Sequence, residues 1–242
     1  MSRKRWAPRP IALGVAVLAI FVACVVCADR ARAGAEAKHG GVRFVYLIRH
    51  GSYHRQADQD DVTGNGLDPL GHQQAHWTGK RLATLPVKIS SLVSSDFTRA
   101  RETADDIGQE VGVTPVRDPL LHECSPPSGP APDAAHPDSP EARQCAADLT
   151  AAFAKYFRPS PGADARDVLV CHGNVIRWLV GHALGLDPRT WTRMDIANGG
   201  ITVIAVYPDG VTQLVTYSDT GHIPPASQTW LDVGPGWSPT AP

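Results

Sequence analysis

No internal repeat is visible in the 242 residues, and no stretch reads G-x-S-x-G, Walker A or G-x-G-x-x-G. Those absences set aside a repeat architecture, an elbow-type serine hydrolase, a P-loop nucleotidase and a dinucleotide-binding crossover. The five cysteines offer no metal-ligand spacing. His72 and His76 stand four residues apart without the glutamate of an H-E-x-x-H zinc helix, so a solvated helix face is expected for them. No metal and no cofactor are therefore expected. Basic residues are also scarce where they would be needed for nucleic acid. The formal charge is −1, but residues 1–33 hold six Lys and Arg against one acid, which leaves 17 basic and 23 acidic residues in the rest. A body this acidic lacks the clustered cations that phosphate backbones require.

What is present begins with a basic, then apolar, leader. The run from Ile11 to Ala28 carries no charge and is just long enough, as a helix, to cross a hydrocarbon core. We expect residues 1–33 to be a membrane anchor or signal segment. The flanking Arg and Lys hold to the cytoplasmic side, which places the body on the other. "ARA" at Ala31–Ala33 is suited to a signal peptidase, so a secreted or periplasmic body after cleavage is the alternative. In an exported body Cys124 and Cys145 can pair, while Cys171 reads as a buried free thiol. A linker over 34–41 precedes the main domain, and a proline-rich tail over 223–242 follows it.

With 43% hydrophobic residues, the remainder is long enough for one well-buried domain. "VRFVYLI" (42–48), "ISSLVSS" (89–95) and "DVLVC" (167–171) are apolar strand patterns. Between and after them come helix patterns, one opened by Asp68-Pro69, one from about Phe97 with Asp96 placed to cap it, and one from about Val175. "GITVIAVYPDGVTQLVTYS" (200–218) reads as a hairpin turning at Pro208-Asp209-Gly210. Alternation of this kind predicts a three-layer α/β/α sandwich with a mostly parallel sheet. The stretch 124–140 is a proline-rich loop too long for a plain connector, of the kind that forms recognition loops or disordered insertions.

The polar residues cluster on this scheme. Arg49-His50-Gly51 ends the first strand and His172-Gly173-Asn174 ends a later one. Carboxyl ends of parallel strands line the ligand crevice, so both histidines point to one place. Arg99, in the first turn of a helix that follows another strand, adds a planar donor fork suited to phosphate. Two histidines and two arginines there make a phosphate site. His54 reads as an exposed loop residue, and Arg101 and Arg177 as helix-surface residues. Asn174 is expected either to touch phosphate or to cap the next helix.

"LIRHG", "LDPLGHQQA", "SSDFTRARETA" and "LVCHGN", in this order, resemble the histidine phosphatase superfamily with its phosphoglycerate-mutase-like fold. "RHGSYH", "LLHECSPPSGPAP", "CHGNVIRWLV", "ANGGIT" and "SDTGHIPP" are similar to its mitochondrial Ser/Thr protein phosphatase branch, whose members carry an amino-terminal membrane anchor. The resemblance implies a phosphatase domain over 42–222 in which His50 becomes phosphohistidine. Arg49, Arg99 and His172 would hold the phosphoryl oxygens, with Asn174 beside them. Glu123 would protonate the leaving alcohol and then activate water. For His50 to attack, one ring nitrogen must be neutral and the other N–H held by a carbonyl or water. The expected substrate is a phosphorylated protein or a small phosphoester. A phosphoglycerate-mutase-type phosphotransferase is the alternative within the family. A non-enzymatic membrane-anchored scaffold is the alternative outside it. The tryptophan-aspartate assembly motif of the anchored relatives is not found here, and the oligomeric state stays open.

Overall fold

The computed structural model describes residues 40–128 and 139–230. The expected anchor (1–33), most of the linker, residues 129–138 of the proline-rich loop and residues 231–242 of the tail lie outside the described residues.

Six strands form one sheet: β1 (Arg43–Arg49), β2 (Ser91–Ser94), β3 (Val116–Arg117), β4 (Ala165–Cys171), β5 (Ile201–Val206) and β6 (Thr212–Asp219), in the order β3-β2-β4-β1-β5-β6. The first four are parallel, and β5 and β6 add on antiparallel at one side. The helices are α1 (Pro69–Ala83), α2 (Thr98–Val111), α3 (Pro140–Tyr156) and α4 (Gly173–Ala183). This is the expected α/β sandwich with a mostly parallel sheet.

Strand alternation decides which helix covers which face. Leu47 pairs with Leu169 and Ile48 with Val170 across β1 and β4, so each face presents matched apolar rows. Val45, Leu47, Leu169 and Cys171 pack with Leu149 and Ala152 of α3 and with Ile176 and Leu179 of α4. On the other face Ile48, Val168, Val170 and Leu92 pack with Leu82 of α1 and with Ala100, Ala104 and Ile107 of α2. Each fully buried leucine here contributes roughly 1.5–3 kcal/mol. Cys171 is the buried free thiol expected.

Asp68 caps α1 as anticipated, accepting a hydrogen bond from Gly71 N at 2.7 Å. Gly210, at φ 86°, makes the β5–β6 turn where a side chain would be strained. Asp96 does not cap α2. Phe97 occupies the cap position without a side-chain bond, and Asp96 pairs instead with His122. α3 was not anticipated, although Ser139, Pro140 and Glu141 form a ready helix start. The proline-rich run that leads into it masks that signal. Cys124 and Cys145, the pair available in an exported body, are joined in a disulfide that ties α3 to the first residue of the proline-rich loop.

Candidate active site

Parallel register brings the strand ends together. Arg49 lies opposite Cys171, and His50 N donates to Cys171 O at 2.9 Å. On the other side of β4, Ser95 N donates to Val170 O at 3.0 Å. Three neighbouring strands thus place His50, His172 and Ser95 side by side. The two histidines are 2% and 0% exposed, with ring centroids 5.1 Å apart.

His50 meets the requirement for a nucleophile. Its Nδ1 lies 2.8 Å from Gly51 O, so the Nδ1–H donates to that carbonyl and Nε2 keeps its lone pair. Burial, reinforced by the positive Arg49 and Arg99, holds the ring well below the ordinary histidine range, and the Gly51 carbonyl only partly opposes this. The imidazole is therefore neutral at physiological pH. Its backbone is held as firmly: Asn198 Nδ2 donates to His50 O at 2.8 Å, and Gly51 N donates to Thr103 Oγ1 at 3.0 Å. Gly51 has no room for a side chain, since a Cβ would stand 2.4 Å from Gly71 O.

Around that nitrogen the other side chains keep polar atoms free. Arg49 donates through Nη1 to Ile196 O at 2.8 Å, but its buried Nε has no partner. Burial lowers the Arg49 pKa to about 10, against the pull of Glu123 and Asp195, so it stays charged. Arg99 donates through Nη1 to Asp61 Oδ1 at 2.6 Å, lies 4.7 Å over the Tyr53 ring, and likewise leaves Nε unpartnered. His172 Nε2 is 2.9 Å from Ser95 Oγ, and its Nδ1 is buried without a partner. Glu123 keeps Oε1 buried and unpartnered, while Oε2 receives only a long 3.5 Å bond from Asn174 N. Burial raises the Glu123 pKa, with Arg49 the largest opposing influence.

Buried polar atoms without partners are destabilising and rare in proteins. Four at one strand-end mouth, three of them on donor groups and one on a carboxyl, suit a ligand rich in acceptor oxygens and one transferable proton.

The model of the histidine phosphatase superfamily (branch 1) matches residues 45–129 and 128–220. The chain belongs to the histidine phosphatase superfamily. It is 38% identical over 194 residues to the mouse mitochondrial serine/threonine-protein phosphatase PGAM5, covering 78% of this chain and 66% of that protein. It thus spans just under two thirds of that relative. Among solved structures it is similar to phosphoglycerate mutase from Plasmodium falciparum, with 26% identity and a TM-score of 0.52 over 73% of this chain and 91% of that one. In fold it is also similar to a mycobacterial glucosyl-3-phosphoglycerate phosphatase, with 23% identity and a TM-score of 0.59 over 74% of this chain and 100% of that one. The four motif blocks pointed to this superfamily, and the five further stretches to the mitochondrial Ser/Thr phosphatase relatives that the comparison also finds.

Several side chains of this histidine phosphatase do something other than expected. The Asn174 side chain is committed to Cys124 O at 3.0 Å and Ser125 Oγ at 3.4 Å, and it accepts from Arg177. It holds the Glu123 segment. Arg177 is no surface residue: it donates to Met194 O at 3.1 Å and lies 4.8 Å over the Trp191 ring. His72 and His76 do not face solvent alone. They sit 2.7 Å from Asp106 and 3.2 Å from Glu110 on α2, because α1 and α2 pack side by side. Among the described residues, no group of three or more His, Cys, Asp and Glu is disposed to hold a metal. His54 is the exposed loop residue expected, its side chain 89% exposed. Asn198 and Thr103, which steady the His50 backbone, were not singled out from the sequence. "ANGGIT" was the available signal for the first.

Proposed function

We propose that this chain hydrolyses phosphomonoesters through a phosphohistidine on His50 Nε2. The observation that carries the reading is the Nδ1–H to Gly51 O bond at 2.8 Å on a buried, neutral imidazole. That bond leaves one nitrogen nucleophilic beside Arg49, Arg99 and His172. In the first step the Nε2 lone pair attacks phosphorus and the ester P–O bond breaks, while Glu123 gives its proton to the departing oxygen. In the second, Glu123 as carboxylate takes a proton from water, the water oxygen bonds to phosphorus, and the P–N bond breaks. Arg49, Arg99 and His172 stabilise the charge on the equatorial oxygens throughout. Burial suits Glu123 to the first step by keeping it protonated higher in pH than an exposed glutamate.

A phosphorylated serine or threonine in a protein is the substrate we favour, on the kinship with PGAM5 phosphatases. The loop after the nucleophile supports hydrolysis over a mutase reaction. Its exposed stretch carries Asp58 and Asp60 against Arg55 as its one arginine, while Asp61 just beyond is paired with Arg99. That rim repels a small carboxylated phosphate and suits a polypeptide with basic residues. We further propose a leader-anchored domain over 42–222 on the non-cytoplasmic side. The disulfide supports an oxidising compartment. Among the described residues no helix is long and apolar enough to cross a membrane.

The test is His50→Ala. It should lower turnover of an aryl phosphate in EDTA by at least about 10⁴-fold and abolish the acid-labile radiolabelled phosphoenzyme. Retained turnover in that variant would overturn the assignment.

A further inference from the structure

The strand-end residues are held by the sheet, but Glu123 is not. It lies in the segment from His122 to Ser128, which belongs to no helix or strand. Its carboxyl makes only the 3.5 Å bond from Asn174 N and leaves Oε1 without a partner. A carboxyl so weakly tied is placed by its backbone, and the backbone is gripped at the next residue from two sides. On one side Cys124 is bonded to Cys145, with the Cα atoms 5.8 Å apart. Cys145 is buried on α3 within the core cluster that includes Leu149 and Leu169. On the other side Cys124 O accepts from Asn174 Nδ2 at 3.0 Å, and Asn174 is itself braced by Arg177 from the same helix, α4. Further on, Pro127 O accepts from Trp191 Nε1 at 3.0 Å, four residues beyond Glu123.

We propose that the Cys124–Cys145 disulfide is a positioning device for Glu123, so that proton delivery to the leaving group depends on the oxidised state of this pair. The proposal rests on the reading of Glu123 as the general acid. Cutting the bond takes two electrons from an external dithiol or phosphine, and each sulfur leaves with one proton. Cys124 is then held by one neutral hydrogen bond instead of a covalent tie plus that bond. The side-chain hydrogen bonds of His50, Arg49, Arg99 and His172 run to Gly51, Ile196, Asp61 and Ser95, not to Cys124. Both steps that Glu123 serves are affected, but kcat/KM reports only the first, phosphoryl transfer to His50. An aryl ester, whose phenolate leaves readily, is little affected, and an alkyl ester such as a phosphoserine peptide depends on it.

The experiment measures kcat/KM for p-nitrophenyl phosphate and for a phosphoserine peptide, on the full chain before and after reduction with a phosphine and again after reoxidation. Cys124→Ala/Cys145→Ala and Glu123→Gln are measured alongside. Reduction should slow the peptide on the order of 10- to 100-fold, leave the aryl ester within about twofold, and reverse on reoxidation. The double cysteine variant should match the reduced protein. Should it fail to fold, reversible reduction of the unaltered chain carries the test, with unchanged aryl kcat/KM reporting an intact fold. Glu123→Gln should show the same discrimination between esters and no further response to reduction. Should Glu123→Gln slow both esters alike, the general-acid reading falls and the proposal with it. If Glu123→Gln discriminates but reduction does not, the proposal alone is overturned. Equal loss of both esters on reduction also overturns it, since that marks a merely structural bond.

Discussion

His72 and His76 lie along the α1–α2 seam, each partly exposed and each beside a carboxylate of the facing helix. His50 and His172 lie at the strand ends, buried, and no carboxylate pairs with either among the described residues. The four are the same residue type, and both pairs would read alike as motifs of polar spacing. What separates them is where compensation comes from. At the seam each ring finds its partner within the protein and water covers the rest, so little is gained or lost. At the mouth the protein leaves Arg49, Arg99, Glu123 and His172 with unpartnered atoms. On the proposed reading, a phosphoryl group supplies what is missing.

The widest separation between the two regions should come from Arg99→Ala. Removing that fork should lower kcat for an aryl phosphate on the order of 10²–10³-fold, and Arg99→Lys should recover only part of it, because an ammonium lacks the paired donors. Steady-state kinetics on the two variants decide this. Acid stability sharpens the comparison next. Both buried rings are held well below the ordinary histidine range, chiefly by burial. They stay neutral in the folded chain, while the unfolded chain takes up protons below about pH 6.5. Stability is thus full above that pH and falls below it, by about 1.4 kcal/mol per pH unit for each ring and about 2.7 for the two. Urea unfolding between pH 7.5 and 5 should show that slope, and His50→Ala should halve the part due to these rings. The smallest effect is expected at the seam. His72→Ala/His76→Ala should destabilise the fold by about 1 kcal/mol or less and leave kcat/KM unchanged. A large loss of activity there would erase the distinction drawn here.

Much of this was legible in the residues. Strands ending at Arg49-His50 and at Cys171-His172 follow from apolar runs meeting polar pairs, and the capped start of α1 from Asp68-Pro69. The requirement that a carbonyl or water hold one nitrogen of His50 was also legible, though not that Gly51 O would supply it. Other features were hidden because they join residues far apart in the chain. His122 takes Asp96 away from the cap of α2. Arg177 turns from a helix surface to Met194 and Trp191, and Asn174 turns to Cys124. The "SYH" after the nucleophile divides three ways. Ser52 Oγ donates to Asp68 at 2.8 Å, Tyr53 sits edge-on to His50 with centroids 5.2 Å apart, and His54 points to solvent.

The sequence by itself determined the family, the strands and helices other than β3 and α3, and which side chains carry reactive atoms. Those properties reside in local pattern: periodicity, strand-ending polar pairs, and motif blocks in order. Only the tertiary structure decided which of those atoms stay unpartnered and which proton state they hold. Partnering depends on neighbours brought from other elements, as Cys171 O meets His50 N and Gln74 Oε1 meets Ser52 N. Proton state depends on how completely water is excluded, and that is a property of packing around the strand ends.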